Sequence, residues 1–113
     1  MEEKYIAFLA NQFLEYFPNT IFMPSVDEFF FYDKITGLWM KDDQMSKLME
    51  KIKLHFPILL FNEFQDMLSN SKTLYIKEVL TLRSKIDIIL NWLKKSKNIE
   101  ILVKKIKDNK QWN

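Results

Sequence analysis

The chain has no cysteine among its 113 residues, which removes disulfides, thiolate metal sites and cysteine nucleophiles and fits a reducing interior. Gly37 is its single glycine, and Pro18, Pro24 and Pro57 are its only prolines. Turns that need positive φ are therefore scarce, which favours long helices over sheet-rich folds. No apolar run approaches the roughly 20 residues of a membrane span, and no signal-peptide pattern is present, so a cytoplasmic chain with no membrane partner is expected. Enzyme signatures are missing too. One glycine cannot build a Gly-x-x-x-x-Gly-Lys phosphate loop, and there is no Asp-x-Asp pair to hold catalytic magnesium. His55, the lone histidine, has no locally spaced serine or acid to serve it, so a structural or solvent-facing role is expected. Adjacent helical residues diverge by about 100°, so Asp42 and Asp43 suit a helix cap better than an acid pair.

What is present describes a packed domain. Apolar residues make up 48% of the chain and charged residues 28%, which fits one globular unit over residues 1–113. The net charge of +2 conceals a division. Residues 1–66 carry six lysines against eleven acids, a balance of −5, while residues 67–113 carry eleven basic residues against four acids, a balance of +7. Such asymmetry either marks a half that meets a polyanion or reflects lysines solvating amphipathic helices.

Apolar spacing supplies the elements. Glu2–Phe17 places Tyr5, Phe8, Leu9, Phe13 and Phe17 at helical steps, and Pro18-Asn19 ends that helix. Ile21–Val26, interrupted by Pro24, suits a packed connector with at most one helical turn. Between Glu28 and Lys41, aromatics flank Asp33-Lys34-Ile35-Thr36-Gly37, which suits a short hairpin capping the core with Phe30, Tyr32 and Trp39, or, alternatively, offering Tyr32 and Trp39 for base stacking. A helix is expected from Asp43 to Phe56, with Met45, Leu48, Met49 and Ile52 as its stripe, and Pro57 opens another to Leu68. The basic third divides into three shorter helices. Lys72–Leu82 buries Leu74 or Tyr75, Val79 and Leu82; Ser84 with Asp87 forms a capping box that starts the next and leaves Arg83 at the junction; and Asn98 caps Ile99–Asp108, with Ile99, Leu102, Val103 and Ile106 inward. The expected fold is all-α, a bundle of about six or seven helices with a small β-hairpin near residues 29–40.

Leu82–Lys97 is the one stretch that suggests a ligand. With Ile86, Ile89, Leu90 and Leu93 buried, Trp92 shares a side with Lys85, Ile88 and Lys95, while Asp87, Asn91 and Lys94 form a neighbouring polar row. Arg83, Lys85, Lys94 and Lys95 could neutralise phosphates, Trp92 could stack on a base, and Asn91 could meet a base edge. The plainer alternative packs Trp92 beneath a neighbouring helix. Lys77, Lys104, Lys105, Tyr32 and Trp39 are secondary candidates.

The run Phe31-Tyr32-Asp33…Gly37-Leu38-Trp39, followed by acids and a helix, resembles the opening segment of the poxvirus-type primase-helicase linker family. The later helices, ending in Asn98–Asn109, resemble that family's approach to a helicase, and nearly the whole chain is similar to the helix-bundle domain of archaeal plasmid primase-polymerases. The resemblance implies a non-catalytic accessory domain that binds single-stranded DNA template and a nucleoside triphosphate such as ATP, with Mg2+ able to accompany it, to help begin a primer. It implies catalytic primase and helicase domains before Met1 and beyond Asn113, and its aromatic–Gly–Trp run marks fold more than site. The rival expectation is a module that docks primase to helicase, or oligomerises, through its aromatic first half.

Overall fold

The computed structural model describes residues 3–70 and 76–110, except the side chains of residue 70 and residues 76–82. In chain order it comprises α1 (Glu3–Tyr16), β1 (Thr20–Met23), β2 (Glu28–Asp33), β3 (Leu38–Lys41), α2 (Ser46–Glu50), a π-helical turn (Lys51–His55), α3 (Phe56–Asn70), α4 (Ile76–Trp92) and α5 (Ser96–Asn109). Because α2, the π turn and α3 run on without a break, these elements form four helical rods beside a three-stranded antiparallel sheet of order β1-β2-β3. The domain is α+β, which corrects the all-α bundle of six or seven helices.

Each correction has a local cause. The apolar connector at Ile21 pairs as a strand, Ile21 opposite Phe30 and Phe22 opposite Phe29, so the hairpin around residues 29–40 becomes two of three strands. Pro24 ends β1, and the return is closed by Val26 N–H donating to the Met23 carbonyl at 3.3 Å, with Asp27 at a φ of 52°. Pro57 does not start a helix. The Phe56 N–H reaches back to the Lys51 carbonyl in an i→i−5 bond, and this widened turn accommodates a proline that has no N–H and would crowd the carbonyl of residue 53. Ser84 lies inside α4 rather than at its start, because a Ser-x-x-Asp pattern does not stop a helix whose Ile86 and Ile89 are buried. Asn98 likewise lies inside α5, which begins after an extended Lys95. The expected burial of Leu74 or Tyr75, Val79 and Leu82 falls outside the described residues.

The core joins the four helical rods to β1 and β2, while every residue of β3 is exposed. Helix α1 buries Leu9 and Phe13 of its expected stripe together with Ile6 and Ala10, half-buries Tyr5 and, just past its end, Phe17, and leaves Phe8 exposed. The second rod aligns Leu48, Ile52, Phe56, Leu60 and Phe64 at four-residue steps, and Phe56 meets Phe13 edge-on with ring centroids 5.4 Å apart. Ile86, Ile89 and Leu93, with Ile99, Leu102, Val103 and Ile106, close the far side. From the sheet the core takes Phe22, Phe29 and Phe31, not Phe30, Tyr32 and Trp39. A one-residue change of parity sends every strand side chain to the opposite face.

Two turns set the angles between these parts. Gly37, at a φ of 71°, closes the β2–β3 loop by donating its N–H to the Asp33 carbonyl at 2.8 Å. Asp42 joins sheet to helix. Its N–H donates to the Phe29 carbonyl at 2.9 Å, while its buried carboxylate accepts the Lys47 and Leu48 N–H groups at 2.8 and 2.9 Å, capping α2 across left-handed Gln44 and Met45.

Candidate nucleic-acid interface

Helix α4 ends at Trp92 because Leu93 turns into the core. The turn is tied by Lys94 N–H to the Asn91 carbonyl at 3.2 Å, by Lys95 N–H to the Trp92 carbonyl at 3.3 Å, and by the Asn98 side-chain amide donating to that same Trp92 carbonyl at 3.0 Å. Arg83, Lys85 and Asn91 on α4, and Lys94 and Lys95 on the turn, are exposed. Trp92 is half-buried and packs against the core. Since Lys95 is extended, with φ −94° and ψ 127°, it does not occupy the next step of α4, and the helical row Lys85–Trp92–Lys95 does not form.

In place of that row there is a groove of about 540 Å³ beside the turn, with Ile58, Phe61 and Leu90 as apolar walls and Lys53 and Lys94 as its cations. Lys94 is the only one of the six principal candidates that lines it. Lys53, from the π turn, is a contributor that spacing within residues 82–97 could not identify. Lys97, exposed at the first turn of α5, adds to the cluster and was visible as part of the same run of lysines.

The secondary candidates separate. Tyr32 and Trp39 face each other across β2 and β3, with ring centroids 5.4 Å apart and planes at 57°, and both remain well exposed at 38% and 39%. Lys105 is paired with Glu3 at 3.2 Å, and it and Lys104 share a cleft with Asp108, so local acids offset their charge. The side chain of Lys77 lies outside the described residues.

A second cavity of about 510 Å³ adjoins the aromatic pair. Tyr32 lines it together with Lys34, Lys51, Thr20 and the end of α1. Nothing in the local sequence marks Thr20 or Lys51, because they meet only when the sheet packs on the π turn. Nearby, the Ile35 N–H donates to the Asp33 carboxylate at 2.9 Å, and this bond above all holds the Asp33 carboxyl below its ordinary value.

His55 is exposed, with Nε2 3.8 Å from a Glu50 carboxylate oxygen. Among the described residues no three His, Asp or Glu side chains converge as metal ligands, and no helix is long and apolar enough to cross a membrane. No protein-family model, curated protein or solved structure matches the chain.

Proposed function

We propose that the chain is a non-catalytic accessory domain of a DNA primase, cytoplasmic, that binds single-stranded template and a nucleoside triphosphate. The fold differs from the bundle that the family resemblance implied, so the reading rests on surface chemistry. The observation that carries it is the α4–α5 turn, where an apolar groove opens beside Lys53 and Lys94, with Arg83, Lys85, Lys95 and Lys97 exposed along α4, the turn and the start of α5. A base fits the apolar walls, phosphates meet the lysines, and Arg83 and Lys85 extend the cationic track for a strand. Half-burial turns Trp92 from a stacking role toward packing, leaving Tyr32 and Trp39 as the exposed aromatics among the candidates. Magnesium accompanying ATP would be carried on its phosphates.

The test is a titration of the chain with labelled single-stranded DNA, with and without ATP, followed through backbone amide shifts. Shifts concentrated at residues 83–97 and at Lys53 are expected. If neither ligand moves them, this reading is discarded.

A second reading, a module that docks primase to helicase, is supported by a specific feature. Ile58, Phe61 and Met67 on α3 and Ile88 on α4 are large apolar side chains left exposed. Docking predicts that an adjoining primase or helicase domain shifts α3 amides while DNA and ATP leave them unmoved.

A further inference from the structure

The cleft between the end of α1, the β1–β2 pair and the π turn has no part in the reading above. We propose that it is a binding site for a phosphate-bearing small molecule, with Lys51 as the charge partner and the Thr20 hydroxyl as a buried hydrogen-bond donor. Two independent observations converge on it.

The first is a half-buried lysine without an acid. Lys51 Nζ lies 4.4 Å from the centroid of the Phe31 ring and 5.8 Å from that of Phe17, and it forms no ion pair among the described residues. Ring faces compensate only part of the hydration that an ammonium loses on partial burial, whereas an anion entering the cleft would compensate the rest. The second is an unpartnered hydroxyl. Thr20 is fully buried, and its Oγ1 is the buried side-chain polar atom left without a hydrogen bond among the described residues. An unmet buried hydroxyl destabilises a fold that valine would pack equally well, so its presence calls for a partner.

These groups meet at Phe31. Thr20 stands directly opposite Phe31 in the β1–β2 register, and Lys51 sits over the same ring. Lys34 adds a second cation at the exposed rim against the single acid Glu15, so the lining favours an anion. A phosphoryl group suits this set because its several acceptor oxygens can take an ammonium and a hydroxyl at once. At about 510 Å³ the cleft exceeds what free phosphate fills and falls within the roughly 300–1,000 Å³ of small-molecule sites.

The experiment uses the full chain, with thermal melting and amide shifts read during titration with inorganic phosphate, against sodium chloride at matched ionic strength, and then with a nucleoside 5′-monophosphate. Phosphate should raise Tm and shift Thr20, Phe31 and Lys51, and chloride should not. Thr20→Val should melt above the parent when no ligand is present, because the unmet hydroxyl is gone, yet bind phosphate about tenfold more weakly or worse. Lys51→Gln should lose binding to a similar degree and serves as the second variant if Thr20→Val does not fold. A monophosphate that binds about tenfold tighter than phosphate assigns the rest of the cleft to the nucleoside, and equal affinity assigns the site to the phosphoryl group alone. The proposal is overturned if phosphate and chloride act alike on the parent, or if both variants bind as the parent does.

Discussion

The two cation-bearing regions of this domain are built in opposite ways. Arg83 and Lys85 on α4, Lys94 and Lys95 on the α4–α5 turn and Lys97 on α5 all stand in solvent, close together in sequence, and an apolar groove lies beside Lys94. At the sheet, Lys51 is half-buried over an aromatic ring beside a hydroxyl that lies 31 positions earlier in the numbering. Exposed cations are screened by salt and act mainly as a field, whereas an enclosed cation interacts strongly with whatever joins it. A conspicuous charge cluster in a sequence is therefore weak per residue, and the stronger site is assembled by folding.

That comparison can be broken most forcefully in the shared core. Phe29 is almost fully buried where the sheet meets the helices, and Phe29→Ala should destabilise the chain by about 3–5 kcal/mol in one denaturant transition. Two transitions would mean that the sheet folds as a separate unit and that its cleft owes nothing to the helical rods.

Next comes the joint itself. Asp42→Ala removes the acceptor for the Lys47 and Leu48 N–H groups and should cost about 1–2 kcal/mol, with amide protection lost in α2 before α5. Equal loss in both helices would show that Asp42 does not specifically link the sheet to its neighbour.

At the turn, the paired change Lys94→Ala and Lys95→Ala should flatten the salt dependence of single-stranded DNA binding by about 0.7 in log–log slope per lysine that meets a phosphate. An unchanged slope would remove the exposed cluster from the binding surface.

The smallest effect concerns pH. The bond from Ile35 N–H lowers the Asp33 carboxyl in the folded state relative to the unfolded one. Its contribution to the hairpin is complete above the ordinary value of 3.8 and is lost as pH falls through the lowered value. Stability measured by chemical denaturation below pH 4 should fall less steeply in Asp33→Asn than in the parent, and parallel slopes would remove Asp33 from the hairpin's acid response.

Much of the helical skeleton was legible because its apolar spacing is strong. Ile99, Leu102, Val103 and Ile106 repeat at three and four and are buried as that spacing predicts. The breaks between helices were less legible. Pro57 and Ser84 carry local stop and start signals, yet both lie inside helices, since burial of Phe56 and Ile86 on either side outweighs a local preference. The strand at Ile21 was hidden because four residues beside a proline form a strand only when β2 lies alongside. Of the candidate site, the exposed cations were visible as a run. Lys53, Thr20 and Lys51 were not, because no spacing within one element relates them to their partners.

By itself the sequence determined that this is a cysteine-free, helix-dominated chain with an acidic first part and a basic last part, with long amphipathic stretches and one loop that needs Gly37. Those properties follow from composition and short-range periodicity, which act over one or two turns of backbone. Only the tertiary structure decided that aromatics on both sides of Gly37 join a third strand, that the parity of β2 buries Phe29 and Phe31 while presenting Tyr32, and that Lys51 settles over Phe31 beside the Thr20 hydroxyl. The reason is that strand parity and cleft formation depend on partners remote in the chain, and their free energy is gained only when distant surfaces meet.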